Sequence, residues 1–311
     1  MKRVSILALV GALLPQLVVA ADVFEKVGTY SGQFLKIGVS ARATGMGGAF
    51  IPVADDASAA YWNPAGLVDV DGTVVSVNHT EWPADINLDY ANYTFAPTFI
   101  RGKVSLHARG VTMDPQVVRT IHRQNGTGEQ FDAGDMSFGL SYARYFTDKF
   151  SAGFTVAWVH MGLADRSVNT IVSDFGLQYR IGVRGMKLGM VVQNIGAEVN
   201  FDNRPSKMPT TFKVGLAVDA YRAGPHSVLD VGEFSRPSDN RERQNVGVEY
   251  SYNEFLFLRS GYNINFDAES FAAGAGIALQ TSQSTSIDVD YSFVDMDALG
   301  GVHRVSLAFQ Y

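Results

Sequence analysis

The chain ends in VHRVSLAFQY, residues 302–311, and that stretch alternates without a break. Val305, Leu307, Phe309 and Tyr311 fall on one face, and Arg304, Ser306, Ala308 and Gln310 on the other. This is the period of a strand, not of a helix. The terminal residue is therefore also the last apolar, outward member of a strand. A soluble sandwich assigns no such duty to its final residue, whereas a barrel closes its last strand on its first and leaves no unpaired edge.

Working back from the end, the same period recurs. Ile287, Val289, Tyr291 and Phe293 alternate with Ser286, Asp288, Asp290 and Ser292. Val246, Val248, Tyr250 and Tyr252 alternate with Asn245, Gly247, Glu249 and Ser251. Phe212, Val214, Leu216 and Val218 alternate with Thr211, Lys213, Gly215 and Ala217. About fourteen such runs follow residue 72, most near the roughly 9–11 residues that a tilted strand needs to cross a bilayer.

The connections are sorted by length. Short ones include Thr147-Asp148-Lys149, Gly182 to Gly185, Asn253-Glu254 and Thr281-Ser282-Gln283; longer ones include Met113 to Gly134, Ile195 to Lys207 and Phe234 to Glu242. Short turns on one side and longer loops on the other, with an even strand count, describe an outer-membrane barrel whose two chain ends lie on the periplasmic side. A secreted sandwich or jelly roll also alternates but has no reason to sort its loops. Aromatics near strand ends (Tyr142, Tyr145, Phe146, Phe150, Trp158, Tyr179, Tyr250, Phe255 and Phe257) suit interfacial girdles. In the longest loop, DPQVVRTIHRQ (114–124) reads as a short helix: Asp114 as N-cap, Pro115 at the first turn, and Val117, Val118 and Ile121 on one face.

Composition agrees. Of the 311 residues 46% are hydrophobic and 12% aromatic, yet no segment after the first few residues approaches the length of a membrane helix. The net charge is −6, without the basic stripe of a nucleic-acid binder. No cysteine is present, which rules out thiol catalysis and disulfides. Lys2-Arg3, the apolar run Val4 to Leu14 and Val18-Val19-Ala20 before Ala21 predict a signal peptide over 1–20, and thus export.

Residues 21–70 lack clean alternation. At their heart lies ATGMGGAFIPVADDASAAYWNPAGL, residues 43–67. Gly45, Gly47 and Gly48 are not a phosphate loop, since no Lys-Ser/Thr pair follows. Asp55 and Asp56 fit a helix start better than a calcium site, with Asp56 capping residues 57–61. The third reading is a plug folded inside the barrel, which about fourteen strands make wide enough to need filling. Gly45, Gly47, Gly48 and Gly66 would permit its turns. Tyr61 and Trp62 would anchor it on the inner wall, the Asn63 amide would bond wall groups, and Pro64 would stop its helix.

The same residues carry a resemblance. GMGGAFIPVADDASAAYWNPAGL, with FLKIGVSARATGMGG before it, resembles the start of the PorV/PorQ family and, more distantly, the hatch of FadL-type transporters with its Asn-Pro-Ala motif. The resemblance implies that Asn63, Pro64 and Ala65 belong to a plug. It also implies that Val305, Leu307, Phe309 and Tyr311 present a signal to the barrel-assembly machinery. Two roles are implied: handling of secreted cargo with components of a type IX secretion system, or passage of hydrophobic small molecules or fatty acids through the outer membrane of a Gram-negative cell.

Catalysis finds no footing. His79, His107, His122, His160, His226 and His303 are scattered, with no metal-ligand spacing, and no Gly-x-Ser-x-Gly elbow occurs. Inward-facing charges are expected at Asp288, Asp290, Glu249, Lys213, Arg180, Lys187 and Arg304, pairing to hold the plug or setting ion selectivity. The expectation is an all-β transmembrane antiparallel barrel of about fourteen strands over 71–311 with a lumenal plug over 21–70 containing a short helix. It would be non-enzymatic and free of cofactor and metal. Its partners would be outer-membrane lipid together with cargo and secretion components, or a hydrophobic ligand, and no nucleic acid. Its leading role would be in secretion, with passive transport and a structural envelope barrel as alternatives.

Overall fold

A computed structural model describes residues 27–201, 204–282 and 284–311; the expected signal peptide lies outside them. Eighteen strands are described. They are β1 (Val74–Trp82), β2 (Ile86–Phe95), β3 (Lys103–Met113), β4 (Gln116–Val117), β5 (Gln130–Phe131), β6 (Ala133–Tyr145), β7 (Phe150–Leu163), β8 (Arg166–Arg180) and β9 (Lys187–Gly196). They continue as β10 (Val199–Phe201), β11 (Arg204–Ser206), β12 (Thr211–Ala223), β13 (His226–Pro237), β14 (Arg243–Tyr252), β15 (Leu256–Ile264), β16 (Phe271–Ser282), β17 (Thr285–Asp295) and β18 (Gly301–Gln310).

Fourteen of them close an antiparallel barrel, and the short pairs β4–β5 and β10–β11 stand outside it. The seam is β1 on β18, in register from Val74 opposite Gln310 to Glu81 opposite His303. Thr73 and Tyr311 finish it with two reciprocal backbone bonds of 2.9 Å, so the alternating C-terminal stretch closes the sheet. The four apolar residues of that stretch, Val305, Leu307, Phe309 and Tyr311, are exposed, as are Val77, Leu140, Phe154 and Phe175 around the wall. Ser76, Thr80, Ser141, Thr155 and Ser292, on the opposite face of their strands, are buried. An apolar exterior around a polar interior inverts the soluble pattern and is that of a barrel in lipid.

The rim holding residues 73 and 311 is called the near rim and the other the far rim. The near rim carries an exposed aromatic border of Tyr145, Phe146, Tyr179, Tyr252, Phe255 and Tyr311. Phe257 departs from the expected girdle. It precedes the inward Arg259 on the same strand face, and that guanidinium lies 5.2 Å from its ring.

Loop sorting holds only in part. Residues 114–132 and 197–210 form long far-rim excursions, but 83–85 and 164–165 are tight far-rim turns, and the near-rim connection 96–102 is not short. The helix expected at 114–124 is absent. β3 and β6 continue outward instead, with Gln116 opposite Phe131, and Ile121 is 88% exposed. A helix of β-branched Val117, Val118, Thr120 and Ile121 would have had nothing to pack its apolar face against, and the extended pairing satisfies the backbone at once.

Candidate functional site: a plug seated on the barrel wall

The segment before β1 lies inside the barrel and runs its full depth. Tyr30 bridges Lys207 in parallel fashion, and Ser31 N donates to Lys207 O at 3.0 Å, both in a far-rim excursion. Asp69 meets Arg180 and Tyr145 at the near rim. The even strand count therefore places only the barrel's own ends on the near side. Residues 30 and 31 lie at the far rim; the N-terminal chain end of the expectation lies outside the described residues.

From the far rim inward, the turn Gln33–Lys36 sets Phe34 and Leu35 among the wall residues Ala157, Val159, Met161 and Val172. The short helix Ala41–Gly45 packs on β15 to β18: Ala41 N donates to Ser306 Oγ at 2.7 Å, and the hydroxyls of Thr44 and Ser292 are 2.8 Å apart. Gly47 and Gly48 follow at φ +64° and +75°, turning the chain back in the left-handed region as expected. Gly45 and Gly66 are not turn residues but points of contact. A Cβ on Gly45 would stand 3.1 Å from Gly274 Cα, and one on Gly66 would overlap the Ala54 carbonyl.

The second helix is Ala59–Trp62, and Ser58, not Asp56, is its N-cap. Asp56 Oδ1 accepts from Ser58 N at 2.8 Å and from the Ser58 hydroxyl, which caps the turn two residues too early for the helix. Asp56 is drawn instead toward Arg42. Tyr61 and Trp62 anchor chiefly on the plug itself: the Tyr61 hydroxyl donates to Leu35 O at 3.2 Å and Trp62 Nε1 to Val39 O at 3.0 Å. The wall adds cations over their rings, with the Arg109 guanidinium 4.5 Å from Tyr61 and Lys213 Nζ 5.1 Å from Trp62.

Asn63 adopts extended geometry (φ −156°) ahead of Pro64, as a residue before proline should. It is fully buried; Nδ2 donates to Ile51 O at 3.1 Å and to Leu177 O on β8 at 3.2 Å, and Oδ1 accepts from Ala65 N at 3.1 Å. It thus ties the two halves of the plug together and both to the wall.

The wall receives the plug on glycines. Gly153 faces Gly176 across β7 and β8, Gly189 faces Gly215 across β9 and β12, and Gly247 faces Gly261 across β14 and β15. Cβ atoms built there would press on plug backbone: on Pro64 from Gly153 (2.5 Å), on Ile51 O from Gly189 (2.7 Å) and on Met46 O from Gly247 (2.5 Å). On β13, where glycine is missing from this belt, Glu233 accepts from Phe50 N (3.2 Å) and Ile51 N (3.3 Å). Inward glycines in otherwise good strands were a readable signal of close backbone approach that sequence reasoning passed over.

Charge completes the seat. Arg42 is bonded to Glu249 through Nε (3.0 Å) and Nη2 (3.2 Å) and to Asp55 through Nη1 (2.7 Å). Arg259 joins Glu249 (2.7 Å) and Asp290. Lys187 reaches Asp55 at 3.5 Å and Asp69 at 3.7 Å, and Lys213 reaches Glu233 at 3.9 Å. Burial works against the Asp55 carboxylate, but Arg42 and Lys187 outweigh it and hold its pKa below the usual value. For Asp56 burial prevails over Arg42 and Ser58, and its pKa is raised. Of the inward charges expected from sequence, Asp290, Glu249, Lys213, Arg180 and Lys187 are paired, while Asp288 and Arg304 form no ion pair among the described residues. The hub, Arg42, and the wall groups Arg259, Arg109 and Glu233 were not anticipated.

Two cavities flank the plug among the described residues. One, of about 100 Å³, lies toward the far rim between Thr44, Gly47 and Trp62 of the plug and wall residues including Lys213, Arg243, Asn263 and Arg304. The other, of about 180 Å³, lies toward the near rim between Ser40, Arg42 and Ser58 of the plug and wall residues including Phe257, Arg259, Asp288 and Ala308. The helix Ala41–Gly45 stands between them: Thr44 lines the first and Arg42 the second. Neither is the continuous apolar pocket that hydrocarbon passage would call for.

No family model matches the chain, and no curated protein matches it. Solved structures do. The CymD monoaromatic hydrocarbon channel is 13% identical with a TM-score of 0.59, over 88% of this chain and 97% of that one. The toluene transporter TbuX of Ralstonia pickettii is 15% identical with a TM-score of 0.60, over the same shares. The toluene transporter TodX of P. putida is 11% identical with a TM-score of 0.57, over 88% of this chain and 96% of that one. At such identities the likeness is one of fold: the FadL-like fourteen-stranded barrel.

Proposed function

We propose that this protein is a non-enzymatic outer-membrane channel that passes small organic molecules when its plug shifts within the lumen. The observation that carries the reading is the placement of two cavities on opposite sides of one short helix, Ala41–Gly45, against the same wall. A single local movement of that helix would join them. The outward apolar face supports a place in a bilayer, and among exported barrels that bilayer is the outer membrane. The near rim then faces the periplasm. The apolar wall patch now filled by Phe34 and Leu35 would receive the hydrophobic part of a solute once the plug withdraws.

The transporters of similar fold are described for toluene and monoaromatic hydrocarbons, and a small aromatic solute is the natural first candidate here. Cargo handling in secretion, implied by the PorV/PorQ resemblance, is less well supported. A docking platform would draw on far-rim loops, and two of these are tight turns.

The chain has no cysteine, so one engineered pair is the only pair. The Thr44 and Ser292 hydroxyls are 2.8 Å apart, and cysteines there would bring their sulfurs within bonding reach. Thr44→Cys/Ser292→Cys protein in liposomes should admit small aromatic solutes when reduced and exclude them when oxidised, read by liposome swelling. Equal swelling of oxidised, reduced and protein-free liposomes would overturn the channel reading.

A further inference from the structure

Among the described residues three wall arginines are buried in the lumen, and two are fully engaged. Arg109 donates to Phe34 O at 3.0 Å and to Ile37 O at 2.6 Å, and Arg259 is paired with Glu249 and Asp290. The third is different. Arg304 on β18 is 4% exposed, its Nε and Nη1 have no hydrogen-bond partner, and it forms no ion pair among the described residues. The Trp82 ring lies 5.4 Å from its guanidinium carbon. A buried cation with no carboxylate in bonding contact is costly and is not kept by packing alone.

Arg304 lines the far-rim cavity. The cations around that cavity are Lys36, Lys213, Arg243 and Arg304; Lys36 is paired with Asp239 (2.7 Å), Lys213 with Glu233 and Arg243 with Asp267, so that among the described residues Arg304 alone of the four has no carboxylate in contact. The carboxylates that line the cavity have other duties: Glu233 holds plug backbone, and Glu269 accepts from Asn263 Nδ2 at 3.4 Å. Arg243 gives one nitrogen to Asp267 (3.1 Å) and keeps its buried Nε unpartnered. The same cavity is bordered by the rings of Tyr61, Trp62 and Phe266. Unpaired guanidinium donors beside aromatic faces form a receptor for a planar anion.

We propose that the far-rim cavity binds a small aromatic carboxylate, with Arg304 as the anchor of the carboxylate and the plug's aromatic rings against the solute's ring. The inference rests on the channel reading in one respect only, that it names the charge of the solute. Arg304 carries the positive charge that a hydrocarbon would leave unanswered.

The test is equilibrium calorimetry on the full chain in a neutral detergent, with benzoate as probe and benzamide, benzylamine and inorganic phosphate as comparators. Benzoate should bind, and benzamide and benzylamine should bind at least tenfold more weakly. Arg304→Gln should weaken benzoate at least tenfold and Arg304→Lys by less, while Arg236→Gln, an exposed residue on the outer side of β13, should leave it unchanged. Absence of benzoate binding, an Arg304→Gln protein that binds as the wild type does, or phosphate binding more tightly than benzoate would each overturn the proposal. Because this assay needs no passage, benzoate binding without flux would remove the channel reading alone, and flux without benzoate binding would remove this one alone.

Discussion

Arg42 in the plug and Glu249 on β14 face each other as a two-bonded fork, Nε to Oε2 at 3.0 Å and Nη2 to Oε1 at 3.2 Å. Such bidentate pairs fix orientation as well as distance. Here the fork joins the plug to the barrel wall, in the charged layer beside the near-rim cavity.

Replacing Arg42 with Met leaves Asp55 and Asp56 with less positive charge and Glu249 with Arg259 alone. Breaking a buried pair from one side costs about 3 kcal/mol, which is a little over a hundredfold in a local opening equilibrium. Amide hydrogen exchange over 41–62 should accelerate to that degree while the barrel strands stay protected. Glu249→Gln should be milder, since Arg42 retains Asp55 and Arg259 retains Asp290. Equal effects of the two substitutions would mean that the fork does not act as the latch.

The glycine seat makes a separate claim. Gly176→Ala places a methyl against Asn63 and Pro64 and should displace that stretch at a cost of about 1–3 kcal/mol. Gly232→Ala, on β13, meets nothing within 4 Å and should stay within about 0.5 kcal/mol of wild type. Chymotryptic cleavage after Tyr61 and Trp62, read by mass spectrometry, separates the two. Similar cleavage of both variants would remove the seat as a structural device.

Asp55 and Asp56 are neighbours with opposite pH behaviour. The folded pKa of Asp55 is depressed, so its contribution is present above the unfolded value of about 4 and is lost as pH falls below it. The folded pKa of Asp56 is raised, so its ionisation costs stability as pH climbs through about 4 and above. At pH 7, Asp55→Asn should lower exchange protection of the plug, and Asp56→Asn should leave it equal or higher. The same direction in both would contradict the assignment of Arg42 chiefly to Asp55.

Much of the architecture was legible before any coordinates. Alternation in residues 302–311 and its repeats located the strands and told their outer face from their inner one, because side chains on a strand point to opposite sides in strict turn. Asn63-Pro64 marked the end of the plug's second helix, because proline constrains the residue before it. These are local rules, and the sequence carries them locally. The failures were local rules applied where another partner competed. Asp56 met Arg42 and Ser58 before it could cap a helix, and residues 116–118 found a strand to pair with.

What the sequence by itself determined is therefore the barrel, its apolar exterior and the segment that fills it. Only the tertiary structure decided how the filling is held. The join of Arg42 to Glu249, the run of plug backbone over Gly153 and Gly176, and the isolation of Arg304 beside Trp82 all depend on which strands close on which, and in what register. Closure sets those meetings between residues far apart in the chain, and no periodicity within a single strand encodes them.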